Sequence, residues 1–242
     1  DGINISIDSP ECLDEPFWIK ENPNYFSEEL SINRKYDLEV LENYNKFLNR
    51  HAFFQDKSQF IIKNNNNHLR LNQLVNFFKD DLFIILFRDP IYHSISLKNT
   101  HKKICLAQKE DPFILDYMNL IGHREFGHNQ KPFNYGNKQS LTQNIFDTAD
   151  KDNYWLKSWI NAYSWIYDFA KEKNPKNLLI VSYEDMCLPN SNKINEIFKR
   201  SNLEKCEEFI LKNKNIKSLN NFDESLKKKA YKIYSNMRTL YP

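Results

Sequence analysis

Glycine is scarce in this sequence. Its usual share of about 7% would give roughly 17 residues in a chain of this size, and there are four: Gly2, Gly122, Gly127 and Gly136. Neither GxxxxGK[ST] nor GxGxxG can be written with them, so no glycine-rich phosphate loop lies within the chain. Cysteine is sparse as well. Cys12, Cys105, Cys187 and Cys206 are widely scattered, without a CxxC or a disulfide framework, which suits free thiols in a reducing, cytoplasmic setting. Apolar runs such as Leu82 to Phe87 fall far short of the roughly 20 residues of a membrane span. The opening Asp-Gly-Ile-Asn has no Met, charged n-region or apolar h-region, so no signal peptide is read there. Charge of one sign is missing too: 34 basic against 32 acidic residues leave +2. No overall field points to nucleic acid or an anionic membrane, and any anion site has to be built locally.

Aromatic and apolar residues are plentiful. With 18 Phe, 13 Tyr and four Trp in 242 residues, 40% of them hydrophobic, global disorder is excluded. The length predicts one domain over 1–242, close to the size at which single cores stop growing. Abundant asparagine, lysine and isoleucine read as codon bias rather than chemistry.

Three short apolar runs read as strands covered on both faces: Gln59 to Lys63, Leu82 to Arg88 and Leu178 to Tyr183. Between the first two, His68 to Phe78 has helical spacing of Leu69, Leu71, Leu74, Val75 and Phe78, which predicts a βαβ unit with parallel strands. Asp89-Pro90 is a helix start, with Asp as N-cap and Pro at the first helical position, and the helix runs to about Lys109. Asp111-Pro112 repeats the signal for a helix ending near Gly122. Lys131 to Asp150 reads as an exposed loop. Asp152 to Lys173 reads as a long helix with Trp155 and Trp159 one turn apart, more in keeping with a core than with a sugar platform. Further helices are predicted over Asp37 to Arg50, Asn192 to Arg200, Glu204 to Leu211 and Asp223 to Leu240. Asp8 to Lys20 holds an aromatic pair, Phe17 and Trp18, beside several carboxylates. The order predicts an α/β chain, a three-layer sandwich about a central parallel sheet.

In open α/β sheets the ligand sits at the carboxyl ends of the strands. The three predicted strands end at Lys63, at Arg88 and at Ser182-Tyr183-Glu184-Asp185. A lysine, an arginine and a phenol at one edge make an anion and base-stacking site. In FRDPIYHSIS, Phe87 to Ser96, Arg88 leaves the sheet and Ser96 lies about 9 Å along the following helix at 1.5 Å per residue. A guanidinium fork and a hydroxyl there can hold one phosphate; alone, the same residues also fit an arginine paired to a surface carboxylate.

The order KNNNNHLRL, FRDP with Ser96, EDPFILDYMNLIGHREFG, YWLKSWINAY and LLIVSYEDM resembles the sulfotransferase superfamily that uses 3'-phosphoadenosine 5'-phosphosulfate (PAPS). It is most similar to the bacterial sulfotransferase members, from about Asp8 to the C-terminal helix. The resemblance implies a P-loop nucleotide-hydrolase-like fold and transfer of a sulfuryl group from PAPS to a hydroxyl or amine, with no metal. It places Arg88 and Ser96 at the 3'-phosphate, Tyr183 near the adenine and Lys63 near the transferring group. The catalytic histidine that closely follows that lysine in cytosolic enzymes is displaced here by Asn64 to Asn67, so the base role is not carried to His68. In other branches a glutamate is the base, and Glu11 or Glu15 occupies that region; a solvated pair is the other reading. His123, in a GHxEFG stretch shared with the resembling bacterial proteins, stays open between acceptor binding, a second base and a structural cluster with Glu125 and His128. The spacing matches neither HExxH nor a zinc deaminase, and no metal is expected.

Two further features complete the expectations. C-terminal basic residues touch the 3'-phosphate in resembling enzymes, which keeps Lys212, Lys214 and Lys217 as candidates, whereas Lys227 to Lys229 reads as a solvated face. The family's opening strand and lysine-bearing phosphate loop have no counterpart, so the sequence reads as a fragment short of roughly 20 to 40 residues, the size of a βα unit, with little transferase activity of its own. The acceptor side falls in 122–150 and leaves carbohydrate, lipid and small metabolite open. A P-loop phosphotransferase and a non-catalytic nucleotide-binding protein remain the alternative readings.

Overall fold

Two of the apolar runs pair in parallel. Strands β2 (Phe83–Phe87) and β4 (Leu178–Ser182) lie side by side with Phe83 opposite Leu178 and Phe87 opposite Ser182, so their carboxyl ends, followed by Arg88 and Tyr183, share one edge. This pair is the heart of a computed structural model that describes residues 14–22, 30–31, 35–54, 56, 59, 61–135, 152–188, 191–204 and 221–240. A second parallel pair, β1 (Leu30–Ser31) with β3 (Phe133–Asn134), is only two residues long.

Helices make up most of the rest: α1 (Glu15–Glu21), α2 (Leu38–Phe54), α3 (Leu71–Phe77) after a 3₁₀ turn at Asn67–Arg70, α4 (Pro90–Glu110), α5 (Pro112–Leu120), α6 (Asp152–Lys173), α7 (Tyr183–Met186), α8 (Asn192–Ser201) and α9 (Glu224–Arg238). The described chain is thus α/β in the broad sense, largely helical around a small parallel sheet.

Both Asp-Pro signals act as read. Asp89 Oδ1 accepts from the amides of Ile91 and Tyr92 at 2.9 and 3.0 Å, and Asp111 Oδ1 accepts from Phe113 N at 3.0 Å, caps worth about 1 kcal/mol each. Helix α6 lays Leu156, Trp159, Ile160, Tyr163, Ile166 and Ala170 into the main core with Phe87, Leu178, Ile180, Ala230 and Met237. Each large side chain so buried contributes about 1.5–3 kcal/mol. The other face of β4 is covered too, with Leu179 and Val181 against Ile194, Ile197 and Phe198 of α8. A separate cluster joins α1, α2 and α3 through Trp18, Leu41, Tyr44, Leu48 and Leu74.

Three expectations are corrected. Among the described residues of Gln59 to Lys63 there is no strand: Ile61 is 76% exposed and Ile62 packs against the α1–α2–α3 cluster, and apolar, β-branched side chains without a ladder partner do not make a sheet. The expected first βαβ unit is therefore absent, and parallel pairing joins β2 to the much later β4. Burial on both faces holds for β4 but not for β2, whose Ile84 and Leu86 are 40% and 51% exposed. The segment from Lys131 is not simply an exposed loop, because Phe133–Asn134 forms β3 and Tyr135 is buried. The residues 136–151, residues 205–211 of the helix expected over Glu204 to Leu211, and Glu11, Lys212, Lys214 and Lys217 lie outside the described residues.

Candidate functional site

At the carboxyl edge of the β2–β4 pair the chain turns sharply twice, into α4 and into α7. The Arg88 guanidinium carbon lies 5.1 Å from the centroid of the Tyr183 ring, within cation–π range. Behind them Glu184 ties the two turns together. Its Oε1 accepts from Asp89 N at 2.9 Å, and its Oε2 accepts from Ser182 Oγ at 3.2 Å and from Tyr234 Oη of α9 at 3.0 Å. This carboxylate is spent on holding backbone and hydroxyls. Ser96 stands half-buried on α4.

The charge of this edge comes from Arg88 rather than from its histidine neighbour. Burial, and then the Arg88 charge, push His93 down to about 4 against a smaller opposing pull from Glu184, so the ring is neutral at pH 7. Burial leads in raising the Tyr183 phenol above its usual range, helped by Cys187, which keeps it an uncharged aromatic face.

A second cluster gathers Glu15, Lys63 and His123 from three distant segments. Glu15 begins α1 and is buried; its Oε2 accepts from the Arg70 guanidinium and from Asn64 Nδ2, the latter at 2.7 Å. Asn64 Nδ2 also donates to Asp14 Oδ1 at 2.6 Å, and Asp14 accepts from the Tyr44 hydroxyl. The asparagine run therefore bridges two buried carboxylates. Gly122 sits directly on Glu15 at φ +78°, where an added Cβ would stand 2.6 Å from Glu15 Cγ and 2.9 Å from Ile19 Cδ1.

His123 follows. Its Nδ1 lies 3.4 Å from both oxygens of Glu125, and Asn65 Nδ2 donates to Glu125 Oε1 at 3.3 Å. The hydrogen bond to Glu125 is the main cause of a raised His123 pKa. Burial and the Lys63 ammonium oppose it, and the charges of Glu125 and Glu15 add to it. For Glu125, burial works against ionisation, yet the bond and charge of His123 bring its pKa below the usual carboxylate value. Both directions describe the same charged pair.

Aromatic rings flank each of the two clusters. Tyr163 of α6 donates from its hydroxyl to Leu86 O at 3.1 Å and lies 6.1 Å from the His93 ring. The Tyr135 ring lies tilted at 5.5 Å from His68, and His68 Nδ1 donates to Asn65 O at 2.6 Å. Asn65 in turn holds Glu125.

The structure thus brings Arg88 to Tyr183, and Glu15, Lys63 and His123 to one another; Ser96 shares α4 with the first group. Sequence reasoning missed Arg70, Asn64, Asn65 and Glu184 as organisers of these sites. Its nearest signal was the KNNNNHLR run, an unusual density of amides between two apolar segments. His128 is drawn away from His123, its Nε2 meeting Cys105 O at 3.2 Å. Among the described residues no group of three or more His, Cys, Asp or Glu is placed to hold a metal ion, and no helix is long and apolar enough to cross a membrane. Comparison with protein-family models, with curated proteins and with solved structures finds no match to this chain.

Proposed function

We propose that this chain is a PAPS-dependent sulfotransferase of the three-layer, P-loop-like type, acting on a hydroxyl or amine of a carbohydrate, lipid or small metabolite. The supporting observation is the Arg88–Tyr183 contact at the shared carboxyl edge of two parallel strands, where a fixed cation and an aromatic face stand together. These residues fit a phosphorylated adenosine: the guanidinium for phosphate, the phenol ring for the base, and the Ser96 hydroxyl on the helix that follows.

PAPS would supply an activated sulfuryl group on a phosphate leaving group. The chain's own work is positioning, charge neutralisation and proton transfer. Lys63 carries an exposed ammonium beside His123 and is assigned to the charge on the moving group. His123 is preferred over Glu15 as the base, because its side chain is 39% exposed whereas the Glu15 side chain is 8% exposed and ion-paired with Arg70. In the reaction the acceptor's proton passes to His123 Nε2 as sulfur forms its bond to the acceptor and its bond to the phosphate oxygen breaks.

Thermal shift in the presence of 3'-phosphoadenosine 5'-phosphate (PAP), beside ATP with magnesium, tests the reading. A rise in Tm with PAP alone supports it; a rise with ATP and magnesium but none with PAP favours a phosphotransferase instead.

A further inference from the structure

Building on that reading, we infer that Glu125 is the positioning residue for His123: its buried carboxylate holds Nδ1–H and so presents Nε2 as the proton-accepting nitrogen. A neutral imidazole has one donor and one acceptor nitrogen, and an ionised carboxylate only accepts. With Glu125 oxygens at 3.4 Å from Nδ1, the proton belongs on Nδ1 and the lone pair on Nε2. Glu125 is 8% exposed while the His123 side chain is 39% exposed. The carboxylate is enclosed and the ring is reachable, which is the arrangement an acid–base pair requires.

The carboxylate is itself held in place. Asn65 Nδ2 donates to Oε1, and Asn65 O receives His68 Nδ1–H, so the segment following Lys63 orients the pair from the opposite side. A buried carboxylate without partners is costly, and here its partners are the Asn65 amide, the imidazole and the backbone amide of Glu125 itself. The charged groups facing His123 are Glu125 from the same turn, Lys63 from the adjoining segment and Glu15 from α1. Burial and the Lys63 ammonium oppose protonation of the ring and the two carboxylates favour it, and the Nδ1 contact with Glu125 decides which nitrogen is basic.

The test combines histidine NMR with kinetics on the full chain. In the wild type the neutral His123 ring is expected as the Nδ1–H tautomer. In Glu125→Gln the ring moves toward the Nε2–H form common in water, and its titration midpoint falls. In sulfate transfer from PAPS, the acidic limb of the kcat profile shifts to lower pH in Glu125→Gln with the acceptor KM unchanged, and His123→Ala loses about 10²-fold or more in kcat. An Nε2–H ring in the wild type overturns the inference, and that measurement needs no variant to fold. Identical His123 titrations in wild type and Glu125→Gln overturn it as well. Transfer with an unaltered pH profile in Glu125→Gln counts against Glu125 alone. No binding of PAP, with the Nδ1–H ring intact, counts against the sulfuryl-transfer reading alone.

Discussion

Arg88 and Tyr183, 95 positions apart in the chain, stand 5.1 Å from guanidinium carbon to ring centroid because the strands that precede them are parallel and in register to their last residues. A phosphate and a base meet such a pair by different means, so its two halves are separable by mutation. Tyr183→Ala is expected to weaken PAP binding by about 1–3 kcal/mol, the worth of one base–aromatic stack. Tyr183→Phe keeps the ring and is expected to leave the affinity nearly unchanged. Calorimetric titration of both variants checks this; equal losses would assign the affinity to the hydroxyl instead.

The Arg70–Glu15 pair supports the fold beneath the second cluster. Both side chains are under a tenth exposed, and Arg70 also covers the Trp18 ring at 4.4 Å and donates to Asn67 Oδ1 at 2.9 Å. Removing either partner leaves an uncompensated buried charge, so Arg70→Met or Glu15→Ala is expected to cost about 3–5 kcal/mol in urea unfolding. The double variant is expected to cost less than the sum.

The His123–Glu125 pair ties stability to pH. The folded pKa of His123 is raised, so its contribution is complete below the ordinary value of 6.5 and is lost as pH rises through the raised one. That of Glu125 is lowered, so its contribution is complete above 4.5 and is lost as pH falls through the lowered value. The stability difference between wild type and Glu125→Gln is therefore expected to be greatest between pH 4.5 and 6.5 and to shrink on either side. Melting curves across that range test it, and a difference that does not vary with pH would contradict it.

Gly122 reports on the packing of α1 against the same turn. Its φ of +78° disfavours any Cβ, and the Cβ would press on Glu15 and Ile19. Gly122→Ala is expected to destabilise by at least about 1–2 kcal/mol from the left-handed backbone alone. Chemical-shift changes at His123 should accompany the loss, since His123 is the next residue.

Legibility in the sequence followed the range of the cause. The helices α4 and α5 were readable because Asp-Pro is a local instruction, and α6 because Trp159, Tyr163 and Ile166 mark one face over many turns. Gln59 to Lys63 misled, since β-branched residues favour extended backbone whether or not a neighbouring strand exists to pair with. Helix α1 was not anticipated: seven residues are too few for a period, and the burial of Trp18 is settled by Tyr44 and Leu41 elsewhere in the chain. The same holds for the site. Arg88 and Tyr183 directly follow strands and could be named from the sequence, whereas Asn64 and Arg70 meet Glu15 across 49 and 55 positions, and Asn65 meets Glu125 across 60. No spacing rule reaches so far.

The most direct measurement is a calorimetric titration of PAP into wild type and Arg88→Ala. The account predicts saturable binding to the wild type and a loss of about 1.5–3 kcal/mol in the variant, the worth of a charge-assisted contact. Absence of PAP binding in the wild type, or an equal dissociation constant in Arg88→Ala, would contradict it.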